Sequence, residues 1–383
     1  MDKTSIKIIN MRLLIISPDY PDRHKVLYPF VKQLVDEFAR QGHNCSVIAP
    51  YSITKYRRFY PFVEKDGDVT VYRPNHLSFS NIKIGKFSPS LYFRQKAINR
   101  ALKKLPVKPD VVYCHFWECG LEGYQYAKKY NIPLFVASGE SNISIILQNK
   151  YIFEDIKDVV SGVVCVSTKN KEESISLGLT SEDKCLVSPN AVNSNLFNIL
   201  DKKECRKKMG FPQDAFIVCF VGAFIERKGV IRVSDAIKQI PGEPVYSCFI
   251  GRGTQEPDCD NILFKGGLRH EEIPVFLNAS DVFVLPTLAE GCCNAIVEAM
   301  SCGLPIISSN LPFNWDVLDE TNSIMIDPNN IVAIKDAIVR LRDDKLLRLE
   351  MAAHSLAKAQ ELTIAKRAKG IINFMKQQIS NKK

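Results

Sequence analysis

Two kinds of stretch alternate along the chain. Short continuous apolar runs at residues 11–17, 44–49, 109–115, 132–137 and 162–167, and again at 216–221, 245–250, 282–285 and 305–308, read as strands buried on both faces. Between them, apolar residues recur at helical spacing. Phe30, Val31, Leu34, Val35 and Phe38 make one such face, closed by Gly42, and Leu91, Ile98 and Leu102 make a second within a basic 91–104 segment. Val230, Val233 and Ile237 make a third. Ala295, Ile296, Ala299 and Met300 make a fourth, stopped by Gly303 and Pro305, and Ile331, Ile334, Ile338 and Leu341 make a fifth. A short helix at 273–278 and a basic helix at about 364–378 complete the pattern. The 162–167 run reads as the last strand of the first half, and 311–319 as a loop around Trp315. Strands alternating with helices predict parallel sheets covered on both faces, and 383 residues exceed one core, so two domains are expected.

The chemistry is densest between residues 281 and 309. A strand ends at Pro286, a loop runs over 287–293, and a helix follows, so the loop sits where open parallel sheets bind ligands. Glu290 lies in that loop, and Glu298 about one turn inside the helix. The amides of Gly291, Cys292, Cys293 and Asn294 lie near the helix N-terminus, where unpaired donors and a partial positive charge suit a phosphate. A carboxylate repels phosphate at close range, so the two glutamates suit hydroxyl groups beside it. A diphosphate flanked by two polyols meets both demands, and a nucleotide sugar is such a ligand. Two solvated glutamates at a helix end are the bland alternative, which suits an isolated pair better than this setting. Arg227 and Lys228, beside Gly229 and after the turn at Gly222, stand at the carboxyl end of the 216–221 strand, within reach of a diphosphate. Gly251 lies in a further glycine turn, and Lys265 follows the 261–264 segment.

At these residues the chain resembles the retaining glycosyltransferases of family 4. That family's glutamate pair has a Gly after the first member and Ala-Met-x-x-Gly-x-Pro after the second, which matches Glu290, Gly291, Glu298, Ala299, Met300, Gly303 and Pro305. The resemblance implies an α/β, GT-B architecture of two facing Rossmann-like doubly wound domains with a cleft between them. Residues 1–195 would bind acceptor, 196–362 would bind the nucleotide sugar, and a C-terminal helix, 363–383, would cross back to the first domain. It further implies a hexosyltransferase-type glycosyltransferase acting with retention, in which the leaving phosphate takes the acceptor's proton and no protein nucleophile is needed. Lys228 and Arg227 would then stabilise the diphosphate, Glu298 would accept from the ribose and Glu290 from the transferred sugar. Gly222, Gly251, Gly291, Cys292, Cys293, Asn294 and Lys265 would line the donor. His115, ending the 109–115 strand where relatives commonly have histidine, joins the catalytic group.

The chain also departs from the family pattern. Ser138 stands where many relatives have the histidine of a His-Gly pair, and Glu140 is the candidate replacement. Asn190 is kept from an Asn-Gly-Val-Asp passage, with Ala191 and Asn193 replacing the Gly and the Asp. Ala223 stands where an Arg is frequent, and Asp22, Arg23, His24 and Lys25 occupy a loop that often carries a Gly pair.

Composition narrows the setting. No apolar run approaches the ~18 residues of a membrane span and no signal peptide opens the chain, so a cytoplasmic protein is expected, peripheral on the inner face of the membrane where its charge allows. The twelve cysteines form no Cys-x-x-Cys pair and fall largely in apolar runs, as reduced buried thiols do, and the six histidines are scattered, so neither a metal nor a cofactor is expected. The net charge of +9 is concentrated. Residues 51–108 hold thirteen Lys and Arg against three acids, interleaved with Tyr56, Phe59, Tyr60, Phe62, Phe87, Tyr92 and Phe93. An anionic membrane surface, an anionic lipid-linked glycan acceptor, nucleic acid or plain solvent could each face such a segment; no nucleic-acid partner is expected. The reading is a metal-independent transferase moving sugar from a UDP- or GDP-linked donor to an acceptor hydroxyl in capsule or lipopolysaccharide biosynthesis. Its rivals are a same-fold nucleotide-sugar epimerase and a catalytically silent subunit that binds nucleotide sugar or membrane.

Overall fold

The structure, a computed structural model, describes residues 10–18, 20–22, 28–56, 59–79, 82, 85, 88–148 and 150–381. The chain divides into two compact units: unit 1 is Met1–Val166, Asn170–Ser188 and Ala368–Lys383, and unit 2 is Ser167–Lys169 and Pro189–Arg367.

Unit 1 is built on strands β1 (Arg12–Ile16), β2 (Asn44–Ile48), β4 (Val63–Asp66), β5 (Val69–Tyr72), β7 (Val111–His115), β8 (Leu134–Ser138), β9 (Val160–Cys165) and β10 (Cys185–Val187), with β3 (Tyr51–Ser52) and β6 (Asn75–His76) paired apart from them. The main sheet runs β10-β9-β8-β7-β1-β2-β5-β4, parallel except for the antiparallel β4–β5 pair. Its strand order reverses between β1 and β7, so the loops after those strands flank the crevice where such sheets take ligands. The Ile364–Asn381 helix contributes Ala368, Ile371, Ile372, Phe374 and Met375 to this unit's core, alongside Phe135 and Val164. Gly162 is the close-approach point: a Cβ there would come within 2.8 Å of both Phe135 and Phe374.

Unit 2 carries β11 (Phe216–Val221), β12 (Val245–Ile250), β13 (Ile262–Gly266), β14 (Val282–Leu285), β15 (Ile306–Ser309) and β16 (Ser323–Ile326) in the order β13-β12-β11-β14-β15-β16. Every pair is parallel. Here the order reverses between β11 and β14, which aligns the turn after β11 with the loop after β14.

One sequence expectation needs correction, and two elements went unread in the sequence. The 162–167 strand starts at Val160, and it is not the last of its sheet, because β10 adds an edge strand whose three residues are all only half-buried and so give no apolar run. The β4–β5 hairpin was hidden by the charges of Glu64, Lys65 and Asp66. The Lys345–Glu361 helix buries a stripe of Met351, Ser355 and Ala359 and exposes Leu346 and Leu349, so its apolar pattern is inverted and carries little periodic signal.

Candidate active site

Unit 2 gathers its charge at the switch point. The β11 strand runs into Gly222, whose carbonyl lies so near Gly251 that a Cβ on Gly251 would sit 1.8 Å from it. The turns after β11 and β12 therefore touch backbone to backbone. A short 3-10 turn, Glu226–Lys228, follows, and Gly229 ends it at φ 80°, packed against the Pro286 carbonyl of the β14 loop. That contact sets Arg227 and Lys228 against the 287–291 loop, and the Leu288 amide donates to the Arg227 carbonyl at 2.8 Å.

Three donors converge on one oxygen there. Glu290 Oε1 accepts from Lys228 Nζ at 2.5 Å, Arg227 Nη1 at 2.7 Å and Thr287 Oγ1 at 2.9 Å. Arg227 also donates to the Ala289 carbonyl. Lys228 is held above the ordinary lysine range: burial works against its charge, while Cys293 and Glu290 favour it. Burial also pushes up the Cys293 thiol, which is therefore neutral at pH 7, so Glu290 is the partner that matters. The two cysteines of the loop are buried, with the Cys292 thiol pushed up to about 12 by burial, so what they offer a ligand is backbone. The Asn294–Ser301 helix starts here with no side-chain cap from Cys293, and the Asn294 Oδ1 is buried without a partner among the described residues.

Glu298 lies on that helix and meets a residue that the sequence reading missed. His270 Nε2 stands 2.8 Å from Glu298 Oε1. Burial opposes the imidazolium, but the hydrogen bond and charge of Glu298, with Glu271, outweigh it and hold His270 above the usual histidine range. A lone histidine 28 residues away carries no sequence signal for this pairing. Asn190 is buried between Arg367 Nη1, which donates to its Oδ1 at 2.9 Å, and the Cys292 carbonyl, to which its Nδ2 donates at 2.8 Å. Lys265 sits at the end of β13, paired with Glu256 at 3.0 Å. Two Asp-x-Asp tripeptides, 66–68 and 258–260, are present, with Asp66 paired to Lys32 and Asp258 to Lys238. No group of three His, Cys, Asp or Glu that could hold a metal gathers among the described residues.

Of the residues read from the first half, Asn190 lies in unit 2, while His115, Ser138 and Glu140 lie in unit 1. His115 ends β7 and is buried, its ring 5.0 Å from Tyr113. Ser138 ends β8 and donates to Glu140 Oε2 at 3.1 Å. Glu140 is buried and accepts from the Gly139 amide at 2.9 Å and, through Oε1, from the Trp117 amide at 2.7 Å, which opens the Trp117–Tyr130 helix. Burial pushes its carboxyl up, against the pull of the Trp117, Ser138 and Gly139 donors. Arg23, His24 and Lys25 lie outside the described residues, as do Arg57, Arg58, Lys83 and Lys86 of the basic segment. Two other members of that segment are internal: Arg73 is buried on Glu64 and the Tyr20 and Pro21 carbonyls, and Arg94 is paired with Glu118 and Glu122. No helix among the described residues is long and apolar enough to cross a membrane.

Two family models match the chain: "Glycosyl transferases group 1" over residues 201–358 and "Glycosyltransferase Family 4" over residues 30–196. TuaC of Bacillus subtilis, named for teichuronic acid biosynthesis, is 26% identical over 89% of this chain and 92% of its own length. The UDP-Gal:alpha-D-GlcNAc-diphosphoundecaprenol alpha-1,3-galactosyltransferase of Escherichia coli is 29% identical over 66% of this chain and 71% of its own. Among solved structures, sucrose-phosphate synthase of Thermosynechococcus elongatus superposes with a TM-score of 0.79 at 18% identity, covering 97% of this chain and all of that one.

Proposed function

The chain belongs to the group 1, family 4 glycosyltransferases and has their GT-B fold, and from that premise we propose that it moves a sugar from a nucleotide-sugar donor to an acceptor hydroxyl with retention and without a metal. The observation that carries this is the convergence of Arg227, Lys228 and Thr287 on Glu290, beside an uncapped helix N-terminus at the switch point of unit 2. Two cations and a set of amides are held there before any ligand arrives, and a diphosphate takes the cations by replacing Glu290 as their partner. Charge developing on a leaving group is stabilised most by donors fixed in advance.

In this reading the diphosphate takes Lys228, Arg227 and the first amides of the Asn294–Ser301 helix. Glu298 accepts from the ribose, and Glu290 from hydroxyls of the transferred sugar. The acceptor oxygen forms its bond to the anomeric carbon as the bond from that carbon to the phosphate oxygen breaks. The acceptor's proton passes to that departing oxygen, so the diphosphate leaves on the face where the acceptor enters. Acceptor recognition is assigned to unit 1. Teichuronic acid and diphosphoundecaprenol in the names of the two relatives support an acceptor from cell-surface polysaccharide assembly.

A thermal-shift screen with UDP, GDP, ADP and their sugar conjugates, in EDTA, tests the donor site on wild type and Glu298→Ala. One nucleotide should stabilise the wild type, and the variant should lose about 10–100-fold in affinity, the effect of removing hydrogen bonds to a charged acceptor. No shift with any nucleotide would sink the assignment. Membrane docking through residues 51–108 rests on the exposed Phe59 and Tyr92 and on Lys96 over the Tyr92 ring at 4.6 Å. Retention on phosphatidylserine vesicles at low salt, lost at high salt, is the expected outcome; indifference to the vesicles at low salt would remove it.

A further inference from the structure

We propose that His270 is a positioning residue for the donor: it fixes the Glu298 carboxylate in the orientation that accepts the nucleotide's ribose hydroxyls. The inference rests on the reading of Glu298 as the ribose acceptor and adds how that acceptor is held. A glutamate side chain has three rotatable bonds and loses affinity for any ligand that must first order it. Here one oxygen, Oε1, is pinned by His270 Nε2 at 2.8 Å. The other oxygen takes no hydrogen bond from the described residues.

The pin is itself built in. His270 opens the His270–Glu272 turn, which is closed on its own end by the Arg269 amide donating to Glu272 Oε2 at 2.9 Å. The imidazole lies against the buried Phe197 ring, centroids 5.0 Å apart. Phe197 in turn is tied to the helix that carries Glu298, because Ser301 Oγ donates to its carbonyl at 2.7 Å. Ring, carboxylate and helix therefore form a closed loop of contacts, and the imidazole cannot turn without breaking one of them. Because a carboxylate only accepts, the shared proton must sit on Nε2, so the pin works with the imidazole neutral or charged.

A plain packing role for the His270–Glu298 pair would tie the turn to the helix and leave the ligand untouched. The two roles separate on the ribose. The experiment measures dissociation constants of the nucleoside diphosphate that the wild type binds best among UDP, GDP and ADP, and of its 2′,3′-dideoxy counterpart. The proteins are wild type, His270→Leu, His270→Gln and Glu298→Ala. Partners that orient a ligating side chain change affinity by about 10–100-fold in metal sites, and a shift at the low end is expected here. His270→Leu should weaken the ribonucleotide about tenfold and leave the dideoxy form nearly unchanged, and His270→Gln, which keeps an N–H donor, should recover most of the loss. Equal weakening of both nucleotides, no recovery with Gln, or no weakening at all overturns the proposal. If Glu298→Ala loses the preference for ribose and His270→Leu does not, only the positioning role fails. If Glu298→Ala also keeps that preference, or if the wild type binds none of the three, the donor-site reading fails and takes this inference with it.

Discussion

Each unit places a carboxylate beside a helix that starts at a strand end, and the two use it in opposite ways. In unit 1, Glu140 caps the Trp117–Tyr130 helix and takes two amides and a hydroxyl. It is only 7% exposed, faces neutral donors and has its carboxyl pushed up by burial. In unit 2, the Asn294–Ser301 helix has no side-chain cap, and Glu290 faces two cations instead. A carboxylate that satisfies a buried helix end is committed, since removing it strands donors that water cannot reach. A carboxylate that balances cations at an uncapped helix end can exchange partners with an anionic ligand. The same local architecture thus holds a fixed structural anchor in one unit and a balanced cluster of charges in the other.

The largest effect should come from breaking the charged side. Lys228→Ala should lower the turnover of the donor selected by the nucleotide screen by about 10²–10³, as loss of one fixed charge-stabilising donor does, with a smaller change in donor KM. Release of nucleoside diphosphate at saturating donor measures it, and a change confined to KM would show that Lys228 only binds. Next is the anchored side. Glu140→Ala leaves the Trp117 and Gly139 amides without their acceptor and should cost about 3 kcal/mol of stability, read by denaturant unfolding. If it unfolds like wild type, water reaches those amides and the contrast between the units fails.

The smallest effect sharpens the same contrast through pH. The folded-state pKa of Glu140 lies above its ordinary 4.5, with burial as the leading cause. Its contribution to stability is therefore complete below about pH 4.5 and is lost as pH rises through the folded value. Glu140→Gln, which cannot ionise, should gain on wild type in melting temperature as pH rises from 4.5 to 8. A constant offset between the two proteins would show that the carboxylate stays ionised across that range.

Sequence by itself determined the alternation of elements and where the charged residues of unit 2 fall relative to them. Continuous apolar runs such as 216–221 and 282–285 can be little else than strands buried on both faces, and each lies where it was read. Glu290, Glu298, Arg227 and Lys228 were legible as candidates because each falls within a few residues of a strand end or helix start. Tertiary structure decided everything that depends on contact across distance. Lys228 and Glu290 lie 62 residues apart in the chain, and that Lys228 and Arg227 meet Glu290 follows from the β11–β14 pairing and the glycine contact at Gly229. His270 became a partner of Glu298 only when the turn before the β14 strand folded against the helix after it. Glu140 read as a sugar-side candidate by its place after β8, and only the fold shows its carboxylate turned onto the Trp117 amide. Periodicity records which face a residue presents to its own element. It holds no information about which distant donor that face will meet, because pairing is set by sheet order and register.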